Sequence, residues 1–104
     1  MKDLRFVYVT VGNLEEASLI AKKVVEEKLA ACANILPQMT SFYFWEGKLQ
    51  EDKEVVLIFK TNESKLESLI LRIKELHSYE VPCIVALPIE SGNPDYLDWL
   101  RKSL

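Results

Sequence analysis

From Thr40 to Thr61 the chain reads TSFYFWEGKLQEDKEVVLIFKT. Aromatic and β-branched residues crowd both halves of this run, and Glu46-Gly47 interrupts it. The pattern predicts two long strands joined at or near Glu46-Gly47. Glu-Gly is a weaker turn signal than Asn-Gly, but the flanks support a hairpin. Gln50 to Lys53 is polar and predicts a bulge or an exposed tip. A hairpin is marginal by itself in water, so the rest of the chain has to supply more sheet or a helical cover.

Both arrive on either side of it. LRFVYVTV is apolar on both faces, ends at Gly12-Asn13, and predicts a central strand. Asn13 then suits a helix N-cap, with Glu16 placed to complete a capping box. Leu14, Ala17, Ala21, Val24 and Val25 recur at helical spacing and predict an amphipathic helix to about Leu29. ACANILP predicts a second strand, broken or kinked at Pro37. After the hairpin, Asn62 or Ser64 starts a second helix with Leu66, Leu69, Ile70, Ile73 and Leu76 as its stripe, ending near His77. PCIVALPI predicts the next strand, and Asn93-Pro94 opens a short C-terminal helix.

The order strand, helix, strand, strand, helix, strand, helix is that of an α+β, ferredoxin-like split βαβ sandwich. It implies an antiparallel sheet with two helices on one face, a long β2-β3 hairpin and an extra C-terminal helix. Residues 1–104 are expected to form one domain. The second sheet face would then have no helices from its own chain, although the strands are apolar on both sides. A second copy of the same chain is the expected cover. Phe42, Tyr43, Phe44 and Trp45 are the candidate interface residues, packed on the helices from one side and on a neighbouring subunit from the other.

The formal net charge is −3, which argues against a nucleic-acid partner. A base-stacking role for the four rings lacks the basic residues it needs. The loop TVGNLEE is acidic, without the arginine of an acylphosphatase-type phosphate cradle. Cys32 and His77 have no evident third group to orient them as nucleophile and base, so no enzyme activity is expected. Cys32 and Cys83 are far apart in sequence and read as free, small buried hydrophobes. No apolar run is long enough for a bilayer and no leader is visible, so a cytoplasmic protein without a membrane partner is expected.

KELHSYEVPCIV holds the only histidine. His77 at a helix end can donate to the last carbonyls. As a metal ligand it would need Cys32, Cys83 or a carboxylate such as Glu80 nearby, or groups from another subunit.

KLAACANILP, SFYFWEGKLQEDKEVVLIFKT, ELHSYEVPCIVALPI and NPDYLDWL together resemble the CutA family of divalent-cation tolerance proteins, from about Phe6 to Leu100. The resemblance implies a ferredoxin-like protomer in a homotrimer, a link to tolerance of copper and other divalent cations, and no established reaction. Cys32 and Asn34 match its ACAN-like segment, Trp45 its WEG, Lys60 its KT, and His77, Tyr79 and Pro82 its H-x-Y-x-x-P. Some members carry a cysteine where this chain has Val9, and a double histidine where it has Leu76-His77. Cu²⁺ or another divalent cation is therefore the implied ligand, with no obligatory cofactor and with His77, Cys32 and Glu80 as candidate donors. The alternative implied role is a PII-like trimeric signalling or scaffold module. It would hold a small anion or metabolite in an inter-subunit cleft lined by Lys60, Tyr79 and Asn34.

Overall fold

The central run folds into the expected hairpin, Cys32–Trp45 (β2) and Lys48–Asn62 (β3), in a computed structural model that describes residues 2–104. The other elements are β1 (Leu4–Val11), α1 (Leu14–Glu26), α2 (Glu63–Leu76), β4 (Ile84–Pro88) and α3 (Pro94–Lys102). The strands form one antiparallel sheet in the order β2-β3-β1-β4, the ferredoxin-like arrangement. The tip is a two-residue turn with Glu46 at φ 50° and Gly47 at φ 77°. Positive φ at both positions matches the twist of the strands, and Gly47 takes it without strain. Gln50 to Lys53, expected as a bulge or tip, instead pair in regular register with Tyr43 to Thr40.

α1 and α2 cover one face of the sheet. Val7, Val9, Val11, Leu57 and Phe59 from the strands meet Ala17, Ile20, Ala21, Val24, Leu69 and Ile73 from the helices in one buried cluster. Ile20 belongs to this core, whereas Leu14 in the first turn of α1 is 52% exposed. Asn13 caps α1 by accepting a hydrogen bond from the Glu16 N–H at 2.8 Å. The capping box stays half formed, because the Glu16 carboxylate accepts from Ser78 instead. α1 stops at Glu26, short of the expected Leu29. Lys28 takes φ 61°, while the N–H groups of Leu29 and Lys28 bond back to Val24 and Val25. That is a Schellman end built on a lysine instead of the usual glycine, so the sequence carries no stop signal there. Asn62 caps α2, donated to by the Lys65 N–H at 2.9 Å.

The second face is partly covered by the chain itself. Lys60 and Cys32 are cross-strand partners pointing away from the helix-covered core. Tyr96 of α3 sits on both: it accepts from Lys60 Nζ at 3.1 Å and lies 3.8 Å from Cys32 Sγ. α3 therefore closes one end of this face, with Leu100 fully buried and Arg101 forked onto Asp3 at 2.9 and 3.0 Å. Beyond α3 the face remains apolar and open, with Leu36, Val85 and Leu87 each at least half exposed.

A bulge between Leu36 and Met39, at Pro37-Gln38, shifts the β2 register by one residue. Before it, even-numbered residues (Cys32, Asn34, Leu36) stand on the second face; after it, odd-numbered ones do (Met39, Ser41, Tyr43, Trp45). β1 pairs only with Val55–Asn62 of β3, so the outer hairpin overhangs the helical layer. Phe42, Tyr43, Phe44 and Trp45 are consequently all exposed within one chain, at 63%, 42%, 74% and 63%. The helices cover neither side of them, in contrast to the expectation of rings packed on the helices. Among the described residues, no helix is long and apolar enough to cross a membrane.

Candidate functional site

The histidine corner forms where α2 ends. Leu76 is the last helical residue, and His77 turns the backbone to an extended ψ of 138°. This swings the imidazole under the end of β1. Its Nε2 lies 2.8 Å from the Thr10 carbonyl oxygen, and the Tyr79 N–H points at Nδ1 from 3.1 Å. A carbonyl only accepts, so Nε2 carries the hydrogen and Nδ1 accepts from Tyr79. The side chain has no exposed surface, and Glu16 Oε2 stands 3.6 Å from Nδ1. Glu16 also holds the Ser78 N–H and hydroxyl, at 2.8 and 2.7 Å. Both ring nitrogens are thus engaged in tying α1, β1 and the loop after α2 together. Val9, at the position where some relatives have cysteine, is fully buried.

From this corner Tyr79 reaches over the sheet. A Cβ added to Gly12 would lie 3.3 Å from the Tyr79 hydroxyl, so the glycine leaves room for the ring. The hydroxyl donates to Glu54 Oε2 at 2.9 Å. Burial and the Glu54 carboxylate push the Tyr79 phenol up to about 12. Next to it Tyr43 donates to Asp52, which raises its phenol as well. The bulge parity puts Trp45 on the same side, and the loop before β4 adds Glu80 and Cys83. Together these groups line a cleft of about 730 Å³.

The candidate residues from the sequence fall into separate places. Tyr79 and Glu80 share this cleft with Tyr43 and Trp45. Phe42 and Phe44 point to the opposite side of the hairpin, paired with Glu51 and Leu49. Cys32 and Lys60 sit under α3, where the Tyr96 hydroxyl holds the Lys60 ammonium above its usual range. Cys32 and Lys60 pair at the level of Phe6, whereas His77 bonds at Thr10. Four residues of strand separate the two levels, roughly 13 Å. Asn34 is exposed opposite Ile58, between them. A pocket holding both Lys60 and Tyr79 would thus have to draw them from different copies. No three His, Cys, Asp or Glu side chains gather into a metal-sized group among the described residues. Cys32 is only half-buried, on the second face away from the core, and Cys83 is exposed, both contrary to the expectation of buried residues. Glu54 and Asp52 are the residues in or beside the cleft that sequence reasoning missed. Their only local signal was the alternation of β3, and the bulge hid which β2 residues they face.

The fold is shared with known proteins. The family model described as CutA1 divalent ion tolerance protein matches residues 5–103. The divalent-cation tolerance protein CutA of Thermus thermophilus is 53% identical over 97 residues, covering 93% of this chain and 94% of that protein. The rice chloroplastic protein CutA 1 is 52% identical over 93% of this chain, which spans 55% of that longer sequence. The crystal structure of CutA1 from Oryza sativa superposes with a TM-score of 0.94 at 50% identity, covering 97% of this chain and 93% of that one. The structure of the Thermus thermophilus protein gives 0.92 at 51% identity, covering 96% and 97%.

Proposed function

This chain belongs to the CutA1 family of divalent ion tolerance proteins, and from that premise we propose that it acts in divalent-cation tolerance as a homotrimer binding copper or another divalent ion between its copies. The observation that carries this reading is the open part of the second sheet face, with Leu36, Val85 and Leu87 half exposed beside an overhanging hairpin of four exposed rings. So much exposed apolar surface on a chain of 12.0 kDa favours burial against further copies.

The cation reading follows from the donor set. The imidazole of His77 has no lone pair directed outward, and Cys32 lies beside the Lys60 ammonium, which opposes a cation. Within one chain the residues do not fit a metal ion. Glu80 and Cys83 are exposed and reach an edge that a neighbouring copy can complete. Copper heads the divalent affinity order for most nitrogen, oxygen and sulfur sites. The role is one of binding and assembly, without a catalytic step.

Light scattering should give three times the 12.0 kDa chain mass. Titration with Cu²⁺ should saturate in the trimer and weaken in Glu80→Gln and Cys83→Ser. A monomeric wild-type chain removes the assembly. A trimer whose Cu²⁺ affinity is unmoved by both variants removes this donor set.

A further inference from the structure

The corner at His77 holds two sets of partners for one ring. In the neutral imidazole Nε2–H donates to the Thr10 carbonyl at 2.8 Å, and Nδ1 accepts from the Tyr79 N–H at 3.1 Å. The side chain is fully enclosed, and the Glu16 carboxylate waits 3.6 Å from Nδ1, just beyond hydrogen-bond length. Oε2 of that carboxylate already accepts from the Ser78 N–H at 2.8 Å. A carboxylate oxygen has two lone pairs, so a second donor can join it without displacing Ser78.

A proton on Nδ1 changes this arrangement. Both ring nitrogens then donate, and Nδ1–H meets the Tyr79 N–H, donor against donor. Turning to Glu16 replaces a neutral bond by a charge-assisted one, about twice as strong. The other surroundings of the ring offer Nδ1–H no alternative. β1 brings the uncharged Thr10 carbonyl, which keeps Nε2–H in either state. On α2 itself Lys74 and Glu75 are exposed, as is Glu80 in the loop that follows. Tyr79 sends its phenol away to Glu54 of β3. Burial and that carboxylate push the phenol up to about 12, so it stays neutral wherever an imidazole titrates. The ring contact between His77 and Tyr79, with centroids 4.7 Å apart, is available to both states. The Tyr79 N–H alone loses its acceptor.

We infer that His77 and Glu16 form a proton-operated latch: protonation moves Nδ1 from the Tyr79 N–H to the Glu16 carboxylate and frees the backbone at Tyr79 in the loop between α2 and β4. His77 has no lone pair directed outward and is not among the donors proposed for a cation. Every partner in the latch comes from one chain and the imidazole is enclosed within it. The latch therefore rests neither on the trimer nor on a bound metal ion.

Nitrogen-15 NMR of the whole protein without added metal tests this, with the Lys65 N–H, bonded to Asn62, as the reference amide. At about pH 7.5 the imidazole should carry its hydrogen on Nε2 alone, and at about pH 5.5 on both nitrogens. Over that step hydrogen exchange at the Tyr79 amide, corrected for its intrinsic pH dependence, should rise about tenfold relative to Lys65, the order expected for one lost hydrogen bond. Glu16→Gln keeps an acceptor for Ser78 and removes the waiting charge, and it should hold the rise within about twofold. A ring with a single hydrogen at both pH values would overturn the inference. So would a doubly protonated ring with an unchanged Tyr79 amide, which would leave the loop uncoupled. An equal rise at Lys65 would mean general loosening of the fold, with the same consequence. A Glu16→Gln chain that responds as fully as the wild type would remove the carboxylate from the latch. The first three readings need only the wild-type chain, so they decide the matter even if the variant does not fold.

Discussion

The two halves of β3 live under different rules. Val55 to Thr61 runs between β1 and β2 beneath the helices, and Leu57, Phe59 and Thr61 are fully buried. Lys48 to Glu54 pairs only with the outer part of β2 and stands mostly in solvent. The same backbone ladder continues through both. What differs is the cover: β1 ends its pairing at Val55, and with it the two-layer core ends. The inner half holds the fold together, while the outer half only backs the exposed rings of Phe42, Tyr43, Phe44 and Trp45 on β2. Backbone pairing therefore extends a strand well past the point where its own core can pack it.

Phe59→Ala should show this contrast most strongly. Loss of a fully buried ring from the central cluster should cost about 3–5 kcal/mol in denaturant unfolding. A cost under about 1 kcal/mol would mean that the inner half is not the structural one. His77→Ala comes next, because it strands the Thr10 carbonyl and the Tyr79 N–H at the boundary between the halves. Leaving buried polar groups without partners typically costs about 1–3 kcal/mol each. An unchanged melting temperature would show that the corner does not fasten α2 to β1.

The pH arm is smaller. Tyr79 titrates near 10 when unfolded and is pushed up to about 12 in the fold. Its neutral phenol is the form the fold favours, so this contribution is complete below about pH 10 and is lost as pH rises towards 12. Tyr79→Phe should flatten stability over that window alone, read from melts at successive pH values. If wild type and variant lose stability in parallel there, the Tyr79–Glu54 bond is not coupled to folding. The smallest expected effect belongs to Phe44→Ala on the outer part of β2, opposite Leu49. In dilute protein it should shift stability by no more than about 0.5 kcal/mol. It should lower the melting temperature only at concentrations where copies associate. A loss independent of concentration would place Phe44 in the chain's own core and erase the contrast.

The candidate site was legible in its parts more than in its grouping. His77 and Tyr79 stood out at the helix end. The burial of His77 did not, because it depends on Thr10, distant in sequence, offering its carbonyl. Tyr43 and Trp45 were visible as rings, but their pairing with Tyr79 required the bulge at Pro37-Gln38 to change which residues face which way. Lys60 and Tyr79, grouped by resemblance, lie at different levels of the same sheet face within one chain, Lys60 under α3 and Tyr79 at Glu54.

Local sequence was enough to set the order of elements, the hairpin with its Glu46-Gly47 turn, the caps at Asn13, Asn62 and Asn93, and the helical stripes. All of these are written in short-range periodicity and in side chains that bond their own neighbouring backbone. Only long-range packing could seal one end of the second face with α3, leave the outer hairpin uncovered, and bring Glu54 and Glu80 to three rings in one cleft. Each of these depends on where one element ends against another far away in the chain. A one-residue bulge or a shorter partner strand redirects whole faces without changing any local pattern.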